Sequence, residues 1–377
     1  MNFVFKKILF FILIMATVNG FSQQLILSKN ATVSILTCDV GNESYSLFGH
    51  TAIRITDLDN QIDVVYNYGA FDFATPNFVA KFTKGDLQYF VVAHSFIDFI
   101  NEYQFEKRSV YEQELRIPAA YKQKLFDNLN NTLQSDGRFY TYKFIDKNCT
   151  SMVVDIINHT LGSKIIVKKE DTTITYRSIL YPYFDGHFYE KLGTSIIFGK
   201  KVDQLGDKIF LPFELLQSLK TTTFKSQMLA NKPATLISFE KEITTSWWNN
   251  RYTYLLVLGF ILLINKRKIE IIYLTLLGFL GLFFALVGFY SFHQELSANY
   301  NVLLFNPTLL LLVYFYCFKN KKWIYKLALF NLICLLFYAV ILINKAHLLI
   351  VLPLIITNGA LLIKLAIQNK KPIPIII

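Results

Sequence analysis

The chain has 377 residues, a formal net charge of +11, 53% hydrophobic and 17% charged residues, an apolar skew that sets it apart from an average soluble protein. No nucleic-acid-binding signature accompanies the charge, and much of it flanks apolar runs, where it orients membrane proteins, so nucleic acid is excluded as an expected partner. Four cysteines are too few for a disulfide framework, so any water-facing core must come from packing.

Taken in chain order, the N-terminus reads as a signal peptide over 1–22. Lys6 and Lys7 precede the apolar run Ile8–Val18, and Gly20 and Ser22 offer a cleavage site before Gln23. An uncleaved N-terminal anchor is the alternative. Residues 23–246 follow the pattern of an exported domain. ATVSILTCDV, HTAIRI and DVVYNYGAF read as strands, with the turn DLDNQ between the last two; SVYEQELRI and RFYTYKF read as further strands. AAYKQKLFDNLNNTL has helical spacing, with Leu125, Leu129 and Leu133 on one face. SMVVDIINHTL reads as a helix stopped by Gly162. The polar segment Leu216–Ser246 is expected to connect this domain to the remainder.

From Trp247 the composition changes. Apolar runs at Tyr252–Ile264, Ile271–Phe292, Leu296–Phe318, Leu327–Asn344 and Ala346–Ile363 predict a transmembrane domain over 247–377. The first run is short. It spans only with help from an interfacial belt of Trp247 and Trp248 and a snorkelling Arg251. With residues 23–246 outside, five spans put Lys266, Arg267, Lys268, Lys319, Lys321, Lys322, Lys326, Lys370 and Lys371 on the cytoplasmic side. If the first run failed to cross, every basic loop would land outside. Five spans and a cytoplasmic C-terminus are therefore expected, in the inner membrane.

Cys317 and Cys334 lie in apolar runs and read as packing residues. Cys38 and Cys149 are in the exported domain, where a structural disulfide between them is one option. Cys149, however, stands in Asp-Lys-Asn-Cys-Thr-Ser at a helix start. Unpaired N–H groups and the positive end of the dipole there favour thiolate and can hold an oxyanion. His50, after Gly49 at a strand start, is the candidate base. The hairpin closed by DLDNQ brings Tyr66, Asn67 or Tyr68 opposite it, and Asn67 is the natural orienter. The predicted catalytic set is Cys149, His50 and Asn67. His94, His159 and His187 show no metal-ligand spacing, and no G-x-S-x-G, P-loop or dinucleotide fingerprint is present. No metal or cofactor is expected. In the outer loop SFHQELSANYNVLLFNP, polar side chains at the bilayer edge, with Asn306 just inside it, are costly unless they contact something.

YSLFGHTAIRI, then VYNYGAFDF with PNFVAKFTKGDLQY, then KNCTSMVVDII and DKIFLPFELL together resemble the Lnb N-terminal periplasmic domain family. HQELSANYNVLLFNP extends the resemblance into the C-terminal region. The resemblance implies lipoprotein N-acyl transfer in Gram-negative bacteria. More distantly, a histidine followed by Asn148-Cys149 is similar to permuted papain-like folds of the NlpC/P60 and lecithin:retinol acyltransferase types. The Glu-His that can follow the cysteine in those acyltransferases is Thr150-Ser151 here.

The expected fold is therefore α+β, a permuted papain-like periplasmic domain followed by a five-helix transmembrane bundle. The expected partners are a phospholipid acyl donor, a diacylated lipoprotein acceptor and membrane lipids. Asn148, Thr150, His293, Asn299 and Asn301 are the expected substrate-binding residues. Two other functions remain open at this level: a membrane-anchored cysteine peptidase or amidase of the cell envelope, and a non-enzymatic assembly or sensor protein.

Overall fold

Alternation of apolar and polar residues builds the sheet as expected. In the computed structural model, which describes residues 25–240 and 246–370, β1 (Thr32–Cys38) pairs antiparallel with β2 (His50–Asp57), and β2 with β3 (Ile62–Ala70). The expected signal peptide lies outside the described residues. A short 3-10 turn at Leu58–Asn60, closed by Gln61 in the left-handed region, makes the β2–β3 hairpin. Helix α1 (Phe78–Lys84), strand β4 (Gln88–Ser95), helix α2 (Phe96–Phe105) and strand β5 (Val110–Glu114) follow. Next come α3 (Ala119–Leu133), β6 (Phe139–Thr141) and α4 (Cys149–Leu161). The order across the seven-stranded sheet is β6-β4-β3-β2-β1-β5-β9, where β9 is Ala234–Ile237, antiparallel throughout.

The helix predicted over 119–133 is α3, and it buries Leu125 and Leu129 on one face of the sheet, with Leu133 half-buried beside them. Helix α4 packs on the same side through Val153, Val154, Ile157 and Leu161 and ends at Gly162. Helix α2 covers the other face, where Phe99 and Tyr103 meet Leu36, Cys38, Ala52 and Val65. Three short helices come next: α5 (Tyr176–Leu180), α6 (Phe188–Ile197) and α7 (Pro212–Thr221). Of the segment expected to be a connector, residues 216–240 belong to the domain instead. Leu216 and Leu219 of α7 are buried, and the hairpin of β7 (Thr223–Phe224) and β8 (Gln227–Met228) leads to β9 (Ala234–Ile237), which pairs with β5 at the sheet edge. Its Lys and Thr residues are the solvent side of a half-buried run, which composition alone reads as a linker.

The C-terminal region is helical: α8 (Arg251–Ile264), α9 (Arg267–Tyr290), α10 (Thr308–Cys317), α11 (Lys321–Leu342) and α12 (Leu348–Asn369). Among the described residues four stretches are long and apolar enough to cross a membrane: 267–290, 294–317, 321–342 and 348–369. The expected continuous span at 296–318 is broken. Two 3-10 turns, at Gln294–Leu296 and Tyr300–Leu303, precede α10. Pro307 cannot donate to the preceding turn, and Asn306 restarts the helix by accepting from the Thr308 amide at 3.0 Å. Gly281 of α9 admits the broken chain, since a Cβ there would sit 1.3 Å from the Phe305 carbonyl oxygen.

Helix α8 has 14 residues, about 21 Å at 1.5 Å per residue. Its Tyr254 hydroxyl donates to Ile350 at the start of α12 (3.2 Å), and Asn265 at its end accepts from Lys364 near the other end of α12. The basic residues around 266–268 and 319–326 share that second end, where Arg267 donates to the Cys317 carbonyl at 3.2 Å. The first end carries the α+β domain. Asn249 accepts from the Tyr189 amide of α6 (2.7 Å), Phe292 donates to the Lys84 carbonyl (2.7 Å), and Lys345 lies 3.5 Å from Asp203.

Candidate active site

Helix α4 begins at Cys149, two residues before the predicted run SMVVDIINHTL, because Asn148 caps it. The Asn148 side chain accepts from the Thr150 amide (3.0 Å) and the Ser151 amide (2.9 Å), and Ser151 Oγ accepts from the Asn148 amide at 2.8 Å. This is a capping box with Ser in the third position. The Asn148 carbonyl takes the Met152 amide at 3.0 Å. The cap takes up the Thr150 and Ser151 amides and not that of Cys149. Thr150 is fully buried and bonded to Thr51 at 2.9 Å, which ties the helix start to β2 next to His50.

His50 opens β2 after Gly49, whose φ is +76. A Cβ at position 49 would lie 2.6 Å from the Cys38 carbonyl oxygen. Gly49→Ala is therefore expected to cost about 1–3 kcal/mol from backbone strain alone. It also displaces His50, so thermal unfolding and Cys149 reactivity should deteriorate together; a variant of unchanged stability would refute the strain.

His50 Nε2 meets Asn67 Oδ1 at 3.1 Å. The Asn67 amide orientation follows from its other end: Nδ2 donates to the Val65 carbonyl at 3.4 Å, which only the NH2 group can do. Oδ1 thus accepts from the Nε2 proton, and Nδ1 is left for the cysteine. Asn67 pairs with Ala52 in the β2–β3 ladder, two residues from His50 on the same face, so the contact is diagonal. His94, one strand further, stands 3.4 Å from Asn67 Nδ2. Its contribution was hidden in the sequence, where it looks like part of an ordinary strand.

Burial by itself would push the Cys149 thiol up. The His50 charge and hydrogen bond outweigh it, together with the Thr51 amide and Thr150 hydroxyl, so its pKa falls below the ordinary value. Burial likewise opposes protonation of His50, and Cys149 and Asn67 outweigh that, so its pKa rises. The pair favours thiolate and imidazolium. Alkylation of Cys149 by iodoacetamide should accordingly persist at pH values where an ordinary thiol has stopped reacting. In His50→Ala burial is left as the dominant influence, the pKa rises, and the rate at neutral pH should drop about tenfold or more. Equal rates in the two proteins would show that the histidine does not activate the thiol.

Cys38 offers no such chemistry. It pairs with His50 across β1–β2, is completely buried, and burial pushes its thiol up to about 12. Both Cys38 and Cys149 are free, so the expected alternative of a disulfide between them is not formed.

A cavity of about 400 Å³ opens over Cys149 and His50, within the size range of small-molecule pockets. Its walls are largely aromatic, with Phe48, Phe71, Phe78, Tyr89, Tyr142 and Phe144 prominent. These side chains supply apolar surface and few hydrogen-bonding groups, the surroundings that suit a hydrocarbon chain.

The structure brings Cys149, His50, Asn67, Asn148 and Thr150 together. The other residues expected to bind substrate stand elsewhere. His293 Nε2 meets the Phe82 carbonyl at 2.9 Å, so it holds α1. Asn299 donates to the carbonyls of Ile196 and Ile197 at 3.0 and 2.9 Å. Asn301 is completely buried, donates to the Phe198 carbonyl at 3.2 Å and accepts from the Tyr338 hydroxyl at 2.7 Å. All three are spent on joining the outer loop to the α+β domain. Asn148 lines the cavity, but its Nδ2 is committed to the Phe144 and Phe210 carbonyls, each at 2.8 Å. Among the described residues no group of His, Cys, Asp and Glu could hold a metal ion.

The fold and site define a mixed α+β domain carrying a Cys-His-Asn constellation and docked on a bundle of apolar, span-length helices, the architecture of a membrane protein with a folded external domain. Residues 20–181 match the family described as the Lnb N-terminal periplasmic domain. The match ends before the helical bundle, so the similarity read from HQELSANYNVLLFNP lies outside it. No curated protein and no solved structure matches the chain significantly.

Proposed function

We propose that this protein is a multi-pass inner-membrane cysteine acyltransferase, moving a fatty-acyl chain from a phospholipid to the N-terminal amine of a lipoprotein through a Cys149 thioester. The observation that carries this reading is a thiolate-favouring cysteine at the floor of an aromatic cavity. A peptidase or amidase acting on a polar polymer would have little use for such walls. The arrangement of histidine on β2 and cysteine at a helix start agrees with a permuted papain-like fold.

In the first step the Cys149 thiolate attacks the ester carbonyl, forming a C–S bond. The C–O bond to the lysophospholipid breaks, and its alkoxide takes the proton from the His50 imidazolium. In the second step the acceptor's α-amine attacks the thioester carbonyl. A C–N bond forms, the C–S bond breaks, and the thiolate returns while the amine's proton passes to His50. The Cys149 amide faces the developing oxyanion in both steps. Placing the site on a membrane bundle makes physical sense, because lifting an acyl chain through water costs about 0.8 kcal/mol per methylene.

The topology proposed with this function has five spans. Helix α8 reaches between the same two ends of the bundle as α12. Five crossings put the basic loops on the side opposite the periplasmic domain. The experiment that tests the function is intact-mass analysis of lipoproteins from cells with and without the protein. Loss of one acyl chain in its absence is expected; an unchanged acyl count would refute it.

A further inference from the structure

The segment from Phe71 to Gly85 has an unusual surface for a domain in water. Phe73 and Val79 are 70% and 74% exposed, and Phe82 is 46% exposed. Phe73 and Phe82 also line the cavity over Cys149. The rings form a continuous path inward. Phe73 meets Phe71 at 4.8 Å between centroids, Phe71 meets Tyr89 at 5.2 Å, and Tyr89 stacks on Tyr142 at 4.5 Å. One end of the aromatic path is therefore in the surroundings and the other beside the thiol.

The same segment is fastened to the outer end of α9. Phe292 donates to the Lys84 carbonyl at 2.7 Å, Ser291 Oγ to the Thr83 carbonyl at 2.9 Å, and His293 Nε2 to the Phe82 carbonyl at 2.9 Å. Phe289 and Phe292 at that end are exposed. The exposed end of a span-length helix thus lies directly against the segment that lines the cavity mouth. Lys81 in the last turn of α1 supplies a cationic end at the level where head groups would lie, while Lys84 beside it is paired with Asp86.

We infer that α1, with Phe73, Val79 and Phe82, beds in the outer leaflet of the membrane and forms a side entrance through which a phospholipid acyl chain slides from the bilayer to Cys149. This rests on the acyl-transfer reading of the site. Exposed aromatic and aliphatic groups next to basic ones are the mark of a segment that lies in a membrane interface. Attachment to α9 fixes the occupant as lipid: whatever surrounds the upper turns of that helix also surrounds α1. His293 acquires a role as the positioning residue that holds the entrance against the span.

The test uses the full chain in phospholipid nanodiscs, with a photoactivatable phenylalanine analogue replacing Val79 in one variant and Leu58 in another. Leu58 is 77% exposed but lies beyond the far end of β2 from His50. Lipid adducts at position 79 and none at position 58 are expected; no adduct at 79, or equal yields at both, overturns the inference. A second arm pairs Val79→Asp with Ala80→Asp, neither residue lining the cavity. Acylation of Cys149 by vesicle phospholipid should fall about tenfold, while acylation by a soluble short-chain nitrophenyl ester stays within about twofold. Equal loss with both donors, or loss with neither, also overturns it. If the wild-type thiol accepts acyl groups from neither donor, the acyl-transfer reading fails instead, and the crosslinks still decide whether α1 lies in lipid.

Discussion

Replacing Cys149 with serine is expected to lower acyl transfer by about 10⁴-fold or more, leaving lipoproteins one acyl chain short by intact mass. The reasons are local. His50 and the helix start favour an anion at position 149, but a hydroxyl holds its proton far more tightly than a thiol, so it gains little from that help. The fold should survive, since position 149 is half-buried and its cap is formed by Asn148 and Ser151. Cys38→Ser is the informative control. It buries a hydroxyl at the cost of about 1–3 kcal/mol, lies outside the cavity lining, and should retain transfer. Loss of activity in Cys38→Ser with a tolerant Cys149→Ser would move the chemistry to Cys38 and overturn the assignment.

The elements legible in the sequence were those whose own residues specify them. β1, β2, β3 and α3 have clear periodicities, and the start of α4 is specified by Asn148. His50 and Asn67 could be brought close because a single short hairpin joins their strands, although their contact is diagonal rather than directly opposite. What stayed hidden depends on partners distant in the chain. β9 is a strand only because β5 presents an edge to it. The aromatic cavity assembles Phe48, Phe144 and the pair Phe71 and Phe78 from three separate segments; no local rule distinguishes them from core residues. The break before α10 was readable in Asn306-Pro307, but it is obscured by the apolar residues around it. Polarity of the outer loop suggested contact with substrate, whereas His293, Asn299 and Asn301 satisfy carbonyls of the α+β domain. A costly polar group at a bilayer edge signals a partner, and that partner can be the protein's own backbone.

Arg177→Met is expected to loosen the joint between the two parts of the molecule by about 3–5 kcal/mol. Arg177 and Asp203 form an ion pair at 2.7 Å and are 2% and 4% exposed. Arg177 also donates to the Ser195 carbonyl at 3.1 Å. Asp203 in turn receives Lys345 at 3.5 Å and the Tyr300 hydroxyl, both from the helical region. Removing the guanidinium leaves a buried carboxylate short of its principal partner, at the point where the α+β domain meets the bundle. Melting in detergent should move down, and phospholipid-dependent acylation of Cys149 should fall while its alkylation by iodoacetamide persists; parallel loss of both would place the damage in the α+β domain itself. The pH dependence of the joint has a definite sign. Burial raises the Asp203 carboxyl, but Arg177 outweighs it and the net pKa is low, so its contribution is complete above the ordinary carboxylate range and is lost only as pH falls through the depressed value. His347, completely buried with Nε2 3.2 Å from the Tyr300 hydroxyl, is pushed by burial and by Arg177 from 6.5 to about 3. The unfolded state therefore binds a proton that the folded state refuses throughout that interval, and stability should decline as pH falls from 6.5 towards 3. His347→Gln should flatten this slope in melting curves taken across the interval, since glutamine has no proton to bind; an undiminished slope would assign the acid sensitivity to other groups.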